Sequence, residues 1–127
     1  MAVVLVVEDE VQLLILAESV LQRAGYETLS ASTPAEADAV IHSEDKIDLI
    51  FTDLGLGDQA DAGLEVGQSA SHARPGIPLL YTSGRTLTDG MRSLFSEPCA
   101  FLSKPYKDHD LIHAVAELLR PSLGDTS

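Results

Sequence analysis

The chain has 127 residues, 45% of them apolar, with eight Lys and Arg against twenty Asp and Glu for a net charge of −12. That length suits one domain with a real core. The charge excludes a surface built to displace counterions from nucleic-acid phosphates, and no apolar run approaches the ~20 residues that cross a bilayer.

In chain order, Val3–Val7 is a continuous β-branched and leucine run, the pattern of a strand covered on both faces. From Glu10 to Ala24, Val11, Leu14, Ile15, Glu18 and Leu21 follow helical spacing, and Gly25 stands at the stop. Tyr26–Ala31 alternates and reads as a strand near a sheet edge. Ser32-Thr33-Pro34 supplies a capping hydroxyl before a proline suited to the first helical position, predicting a helix over 35–42. Ile47–Thr52 reads as a third strand and delivers Asp53. A glycine-rich loop then leads to a helix from Leu64 to His72, ended by Arg74-Pro75-Gly76. Ile77–Thr82 reads as the fourth strand, its proline near the start where no ladder donor is needed. A weak helix between Arg85 and Phe95, a short strand Ala100–Ser103, a helix over Asp108–Leu119 and a frayed tail complete the chain. Five strands alternating with five helices predict a parallel sheet wrapped on both faces, a doubly wound α/β fold. The pattern predicts one domain over 1–121, with a disordered tail at 122–127.

With no basic segment ahead of the first apolar run, the chain is expected to stay in the cytoplasm. A single cysteine, Cys99, rules out an internal disulfide and, beside Pro98, reads as a small apolar filler. His109 and His113 stand four apart on the last helix, a spacing that can hold zinc, but no third ligand is evident.

In open α/β sheets ligands bind beyond the carboxyl ends of the strands. The first strand ends on Glu8 and Asp9, the third on Asp53, the fourth on Thr82 and Ser83, the fifth on Lys104-Pro105. Carboxylates gathered at one rim repel one another, and a cation relieves the repulsion. Mg²⁺ prefers such hard oxygen ligands, one or two carboxylates at a time, with phosphate oxygens and water completing its shell. A lysine and a hydroxyl complete a set suited to phosphoryl transfer, with Asp53 placed as a carboxylate nucleophile.

These segments carry a family resemblance over nearly the whole chain. VVEDE, LIFTDLGL, LLYTSG and FLSKPY, in that order and each at its own strand end, resemble the receiver domain of bacterial two-component response regulators. The resemblance implies a flavodoxin-like (βα)5 sheet of strand order 2-1-3-4-5. It implies phosphorylation of Asp53 by a histidine kinase or histidine phosphotransfer protein, signalling to a downstream protein target, and no enzyme activity beyond the domain's own phosphorylation and dephosphorylation. Asp9, Asp53 and the Gly55 carbonyl would bind Mg²⁺, with Glu8 acting through a metal-bound water. Thr82 and Lys104 would hold the phosphoryl oxygens, Phe101 would be the aromatic that turns inward, and the Lys104–Pro105 bond would be cis. Homodimers would pair through the last two helices and the fifth strand.

The loop after Asp53 departs from the family pattern. Gly57 stands where a proline is usual, and the loop is one or two residues longer before Gly63. Gly55 and Gly84 bring no side chain to the places that modulate water's approach to the phosphoryl group. The same residues disfavour three other readings. An aspartyl-nucleophile phosphatase needs a second acid at Gly55, a flavin carrier would not place Glu8 and Asp9 against a phosphate, and a non-phosphorylated docking module would not need the full acidic set.

Overall fold

The structure is a computed structural model that describes residues 1–59 and 61–120, so the tail expected at 122–127 lies outside the described residues. Its elements alternate as β1 (Val3–Val7), α1 (Val11–Arg23), β2 (Glu27–Ala31), α2 (Pro34–Ile41), β3 (Leu49–Asp53), α3 (Ala62–Ala73), β4 (Leu79–Ser83), α4 (Asp89–Arg92), β5 (Cys99–Ser103) and α5 (Asp108–Leu119). All four strand pairings are parallel and the order is β2-β1-β3-β4-β5.

Burial explains the strand sequences. Every residue of β1, β3 and β4 is buried, whereas β2 and β5 at the edges are partly open. A parallel strand with helices on both faces has no wet side, which is why VVLVV does not alternate. The two-residue period still divides the core. Leu5, Val7, Ile50, Leu79 and Tyr81 face Ala37, Ile41, Leu64 and Ala70 of α2 and α3. Val4, Val6, Leu49, Phe51 and Leu80 face Ala17, Val20 and Leu21 of α1 and Leu111 and Val115 of α5.

The helix signals act as read at α2. Thr33 Oγ1 accepts from Glu36 N–H at 3.1 Å, Glu36 Oε1 accepts from Ser32 N–H at 2.8 Å, and Pro34 occupies the first turn. Gly25 takes a φ of +99° just past α1, a conformation that costs a side chain but not glycine.

Several boundaries differ from the sequence reading. β3 starts at Leu49 rather than Ile47 and includes Asp53, and β4 starts after Pro78, whose carbonyl accepts from Ile50 N–H. Instead of a helix across 85–95 there is only the one turn of α4, with no buried residue. Gly90 and the short polar side chains around it give little intrinsic helicity, and only partly buried side chains such as Met91 and Phe95 pack this segment against the core. On α1 the buried stripe is Ala17, Val20 and Leu21, while Val11 and Ile15, which share its helical spacing, are 61% and 60% exposed.

Two glycines of α3 permit close approaches. A Cβ on Gly63 would overlap the backbone carbonyl of Asp53, and one on Gly67 would strike the Tyr81 hydroxyl. Gly63→Ala is therefore expected to lower stability by about 1–3 kcal/mol in urea unfolding, because backbone cannot step aside. The loss from Gly67→Ala is expected to shrink in the double variant with Tyr81→Phe, which removes the obstructing oxygen; a double-mutant cycle with no coupling would contradict this.

Candidate functional site

Three strand ends meet at one rim. Glu8 and Asp9 follow β1, Asp53 closes β3, and Lys104 follows β5, with its N–H donating to Ser83 O at 2.9 Å. Glu8, Asp9 and Asp53 each offer a carboxylate oxygen within 4.8 Å of the others. Lys104 Nζ donates to Asp53 Oδ2 at 2.5 Å and to Glu8 Oε1 at 3.0 Å. Backbone N–H groups hold the outer oxygens: Gly55 donates to Asp53 Oδ1 at 3.1 Å, Glu10 to Glu8 Oε2 at 3.3 Å, and Gly57 to Asp9 Oδ2 at 2.9 Å.

Glu8 and Asp53 are buried, with relative exposures of 5% and 8%. Burial raises the Glu8 pKa, the Lys104 hydrogen bond works against that rise, and the neighbouring Asp53 charge adds to it. For Lys104, burial alone would lower the pKa. The hydrogen bonds and charges of Asp53 and Glu8 outweigh it and hold the ammonium well above the ordinary lysine range. The ammonium of Lys104 thus bridges two buried carboxylates.

Thr82 stands beside Asp53 in strand register, but its hydroxyl donates to the Leu102 carbonyl of β5 at 2.6 Å. Phe101, next to Leu102, lies with its ring 6.4 Å from Phe95 and Arg92 5.7 Å over it. Phe95 in turn stacks on Tyr81 at 4.2 Å, and the Tyr81 hydroxyl accepts from Ser96 N–H at 3.3 Å. Tyr106 packs edge-on against Phe51 at 5.9 Å. The Lys104–Pro105 bond is cis as expected, and Glu97–Pro98, which sequence reasoning did not single out, is cis as well.

The sequence reading thus brings Glu8, Asp9, Asp53, Lys104 and Thr82 to one place. It missed the Gly57 N–H on Asp9, for which the only signal was a glycine at an unusual loop position. Among the described residues, the group that could hold a metal ion is Glu8, Asp9 and Asp53, and His109 and His113 take no part in it. Cys99 is half-buried and its thiol is pushed up by burial, consistent with packing rather than nucleophilic use.

The response regulator receiver domain family matches residues 4–116 of the chain. The chain belongs to this family. Among curated relatives, this receiver is 30% identical over 123 residues to the transcriptional regulatory protein GlrR of Escherichia coli (strain K12), covering 96% of this chain but 27% of that protein. It is 26% identical to the uncharacterized transcriptional regulatory protein YbdJ of Bacillus subtilis (strain 168), covering 95% of this chain and 52% of that one. The chain therefore spans about a quarter to a half of these relatives. Among solved structures, a response regulator receiver protein from Sinorhizobium medicae WSM419 superposes with a TM-score of 0.84 at 31% identity, covering 93% of this chain and 94% of that one. The receiver domain of the sensor histidine kinase PA1611 from Pseudomonas aeruginosa PAO1, with a magnesium ion coordinated in its active-site cleft, shares the fold at a TM-score of 0.78 and 19% identity, covering 93% and 97%.

This receiver is thus a phospho-acceptor signalling module of two-component systems, and its family binds Mg²⁺ in an acidic pocket. No helix among the described residues is long and apolar enough to cross a membrane.

Removing the fixed cation tests the electrostatics. Lys104→Met is expected to cost about 3 kcal/mol at pH 7 in EDTA, because it leaves two buried carboxylates uncompensated. Without the ammonium, nothing from Lys104 opposes the rise that burial imposes on the Glu8 pKa, so the folded state gains a proton as pH falls. The deficit against the parent should shrink between pH 7 and pH 5 in chemical denaturation, and a deficit that widened would contradict the assignment.

Proposed function

We propose that Asp53 accepts a phosphoryl group from a phosphohistidine donor, in a site where Glu8, Asp9, Asp53 and the Gly55 carbonyl hold Mg²⁺. One observation carries this reading: three carboxylates from β1 and β3 crowd within 4.8 Å of one another while Lys104 binds Oδ2 of Asp53. Ligands across a Mg²⁺ octahedron stand about 4 Å apart, so the cluster has the dimensions of a single ion's shell. When bound, the ion supplies charge neutralisation at the phosphoryl oxygens.

The residues divide the remaining work. An Asp53 carboxylate oxygen attacks phosphorus, the P–N bond to the donor imidazole breaks as the P–O bond forms, and the imidazole leaves with the bonding pair and takes up a proton. Lys104 stays charged and moves from the bare carboxylate to a phosphoryl oxygen. Thr82 is the adjacent hydroxyl. On phosphorylation it gives up the Leu102 carbonyl for the phosphoryl group, which loosens β5 next to Phe101 and lets that ring turn inward. Gly55 and Gly84 offer no side chain to activate or block water, so backbone access governs the phosphate's lifetime.

The donor's docking surface follows from reach. Val11, Ile15 and Leu16 are exposed on α1, and a cavity of about 380 Å³ beside them is lined by Leu13, Leu16, Lys104, Pro105 and Tyr106. A histidine-bearing helix seated there meets the rim through Lys104, whose ammonium already touches Asp53. Pairing with a second copy through α4, β5 and α5, and contact with a downstream protein target, complete the proposed partnerships.

With Mg²⁺ and acetyl phosphate or phosphoramidate, intact mass spectrometry should show one added phosphoryl group on the parent and none on Asp53→Asn. A mass gain in both, or in neither, would overturn the assignment. Gly55→Asn and Gly84→Glu are each expected to change the half-life of that adduct, and unchanged decay in both would show that these positions do not control water.

A further inference from the structure

The lengthened loop between β3 and α3 folds back on itself. Leu56 N–H donates to Gln59 O at 3.0 Å and Gln59 N–H donates to Leu56 O at 3.1 Å, leaving Gly57 and Asp58 as a two-residue turn. Gly57 has a φ of +63°, and no described non-glycine residue has a positive φ. A positive φ at the first central position alone is the pattern of a type II′ turn, which selects glycine there. Crowding does not select it, since a Cβ at Gly57 would meet nothing within 4 Å. What glycine secures is the direction of the turn.

That direction aims a donor. The paired N–H groups of the turn belong to Leu56 and Gln59, and the Gly57 N–H points out of it to Asp9 Oδ2 at 2.9 Å, across 48 residues of sequence. Asp9 differs from the other two acids in what steadies it. Glu8 and Asp53 are buried and share Lys104, whereas Asp9 lies nearer solvent and is held by the loop. A short aspartate at a solvent-facing edge would otherwise sample several rotamers.

We propose that Gly57 is a positioning residue for the divalent-cation site: its N–H fixes the outer oxygen of Asp9, so that the carboxylate is oriented before the ion arrives. This rests on the reading of Glu8, Asp9 and Asp53 as the Mg²⁺ site. Donors that orient a ligating group from outside the coordination shell typically govern metal affinity by 10–100-fold. Proline at this position could supply neither the N–H nor the positive φ, so this loop reaches Asp9 by a route that proline would close.

Calorimetric titration of the full chain with Mg²⁺ alone, without phosphodonor, tests the proposal. Gly57→Pro is expected to weaken Mg²⁺ binding at least tenfold. Gly57→Asn keeps the N–H that proline lacks, so it should lose less affinity than Gly57→Pro. A second measurement does not depend on the folding of either variant: amide hydrogen exchange at Gly57 in the metal-free chain should quicken about tenfold in Asp9→Ala as the hydrogen bond is lost. If the parent takes up no Mg²⁺, the metal site and this proposal fall together. If the parent binds and Gly57→Pro binds equally, or if Gly57 exchange ignores Asp9→Ala, the positioning role alone is overturned.

Discussion

The arrangement depends on one buried ion pair shared three ways. Glu8 and Asp53 come from different strands, lie almost without solvent, and would repel each other at neutral pH without the ammonium of Lys104 between them. A buried pair of this kind adds little net stability against an apolar substitute. Its value lies elsewhere. It gathers negative charge at the rim, where Glu8, Asp9 and Asp53 stand within 4.8 Å of one another.

The sheet makes that gathering possible. Because all strands run parallel, their carboxyl ends open on the same rim, and the order β2-β1-β3-β4-β5 sets β1, β3 and β4 side by side at its centre. Asp53 and Thr82 are register partners. On the opposite face of β4, Tyr81 enters the slot left by Gly67, with Phe95 stacked on its ring and Phe101 beyond. Successive residues of one strand thus face the acidic rim and the aromatic stack. A shift of the β4 backbone at Thr82 cannot leave Tyr81 unmoved.

How much of this the sequence disclosed varied with the kind of interaction. Strand runs such as VVLVV, the Thr33-Pro34 cap and the residues at strand ends report burial and backbone geometry locally, so the fold and the convergence of Glu8, Asp9, Asp53 and Lys104 were legible. Helix exposure was not. Val11 and Ile15 share helical spacing with Leu14 and Leu21, but spacing does not say which side of the stripe meets the sheet. The extent of α4 is not legible from its apolar residues, because Leu94 stays exposed and Met91 and Phe95 reach the core without being buried in it. The Gly57 contact lay beyond reach for another reason: it joins a backbone N–H to a side chain 48 residues away, and neither group carries a pattern of its own.

α4 contributes no buried residue, being a single turn capped by the Thr88 hydroxyl on Met91 N–H. A segment so lightly tied to the core can change its surface residues over evolutionary time with little penalty to folding. The acidic rim, by contrast, is tied by shared charges and strand register, so almost any drift there is penalised. Related chains could diverge at α4 in whom they address while their chemistry stayed the same.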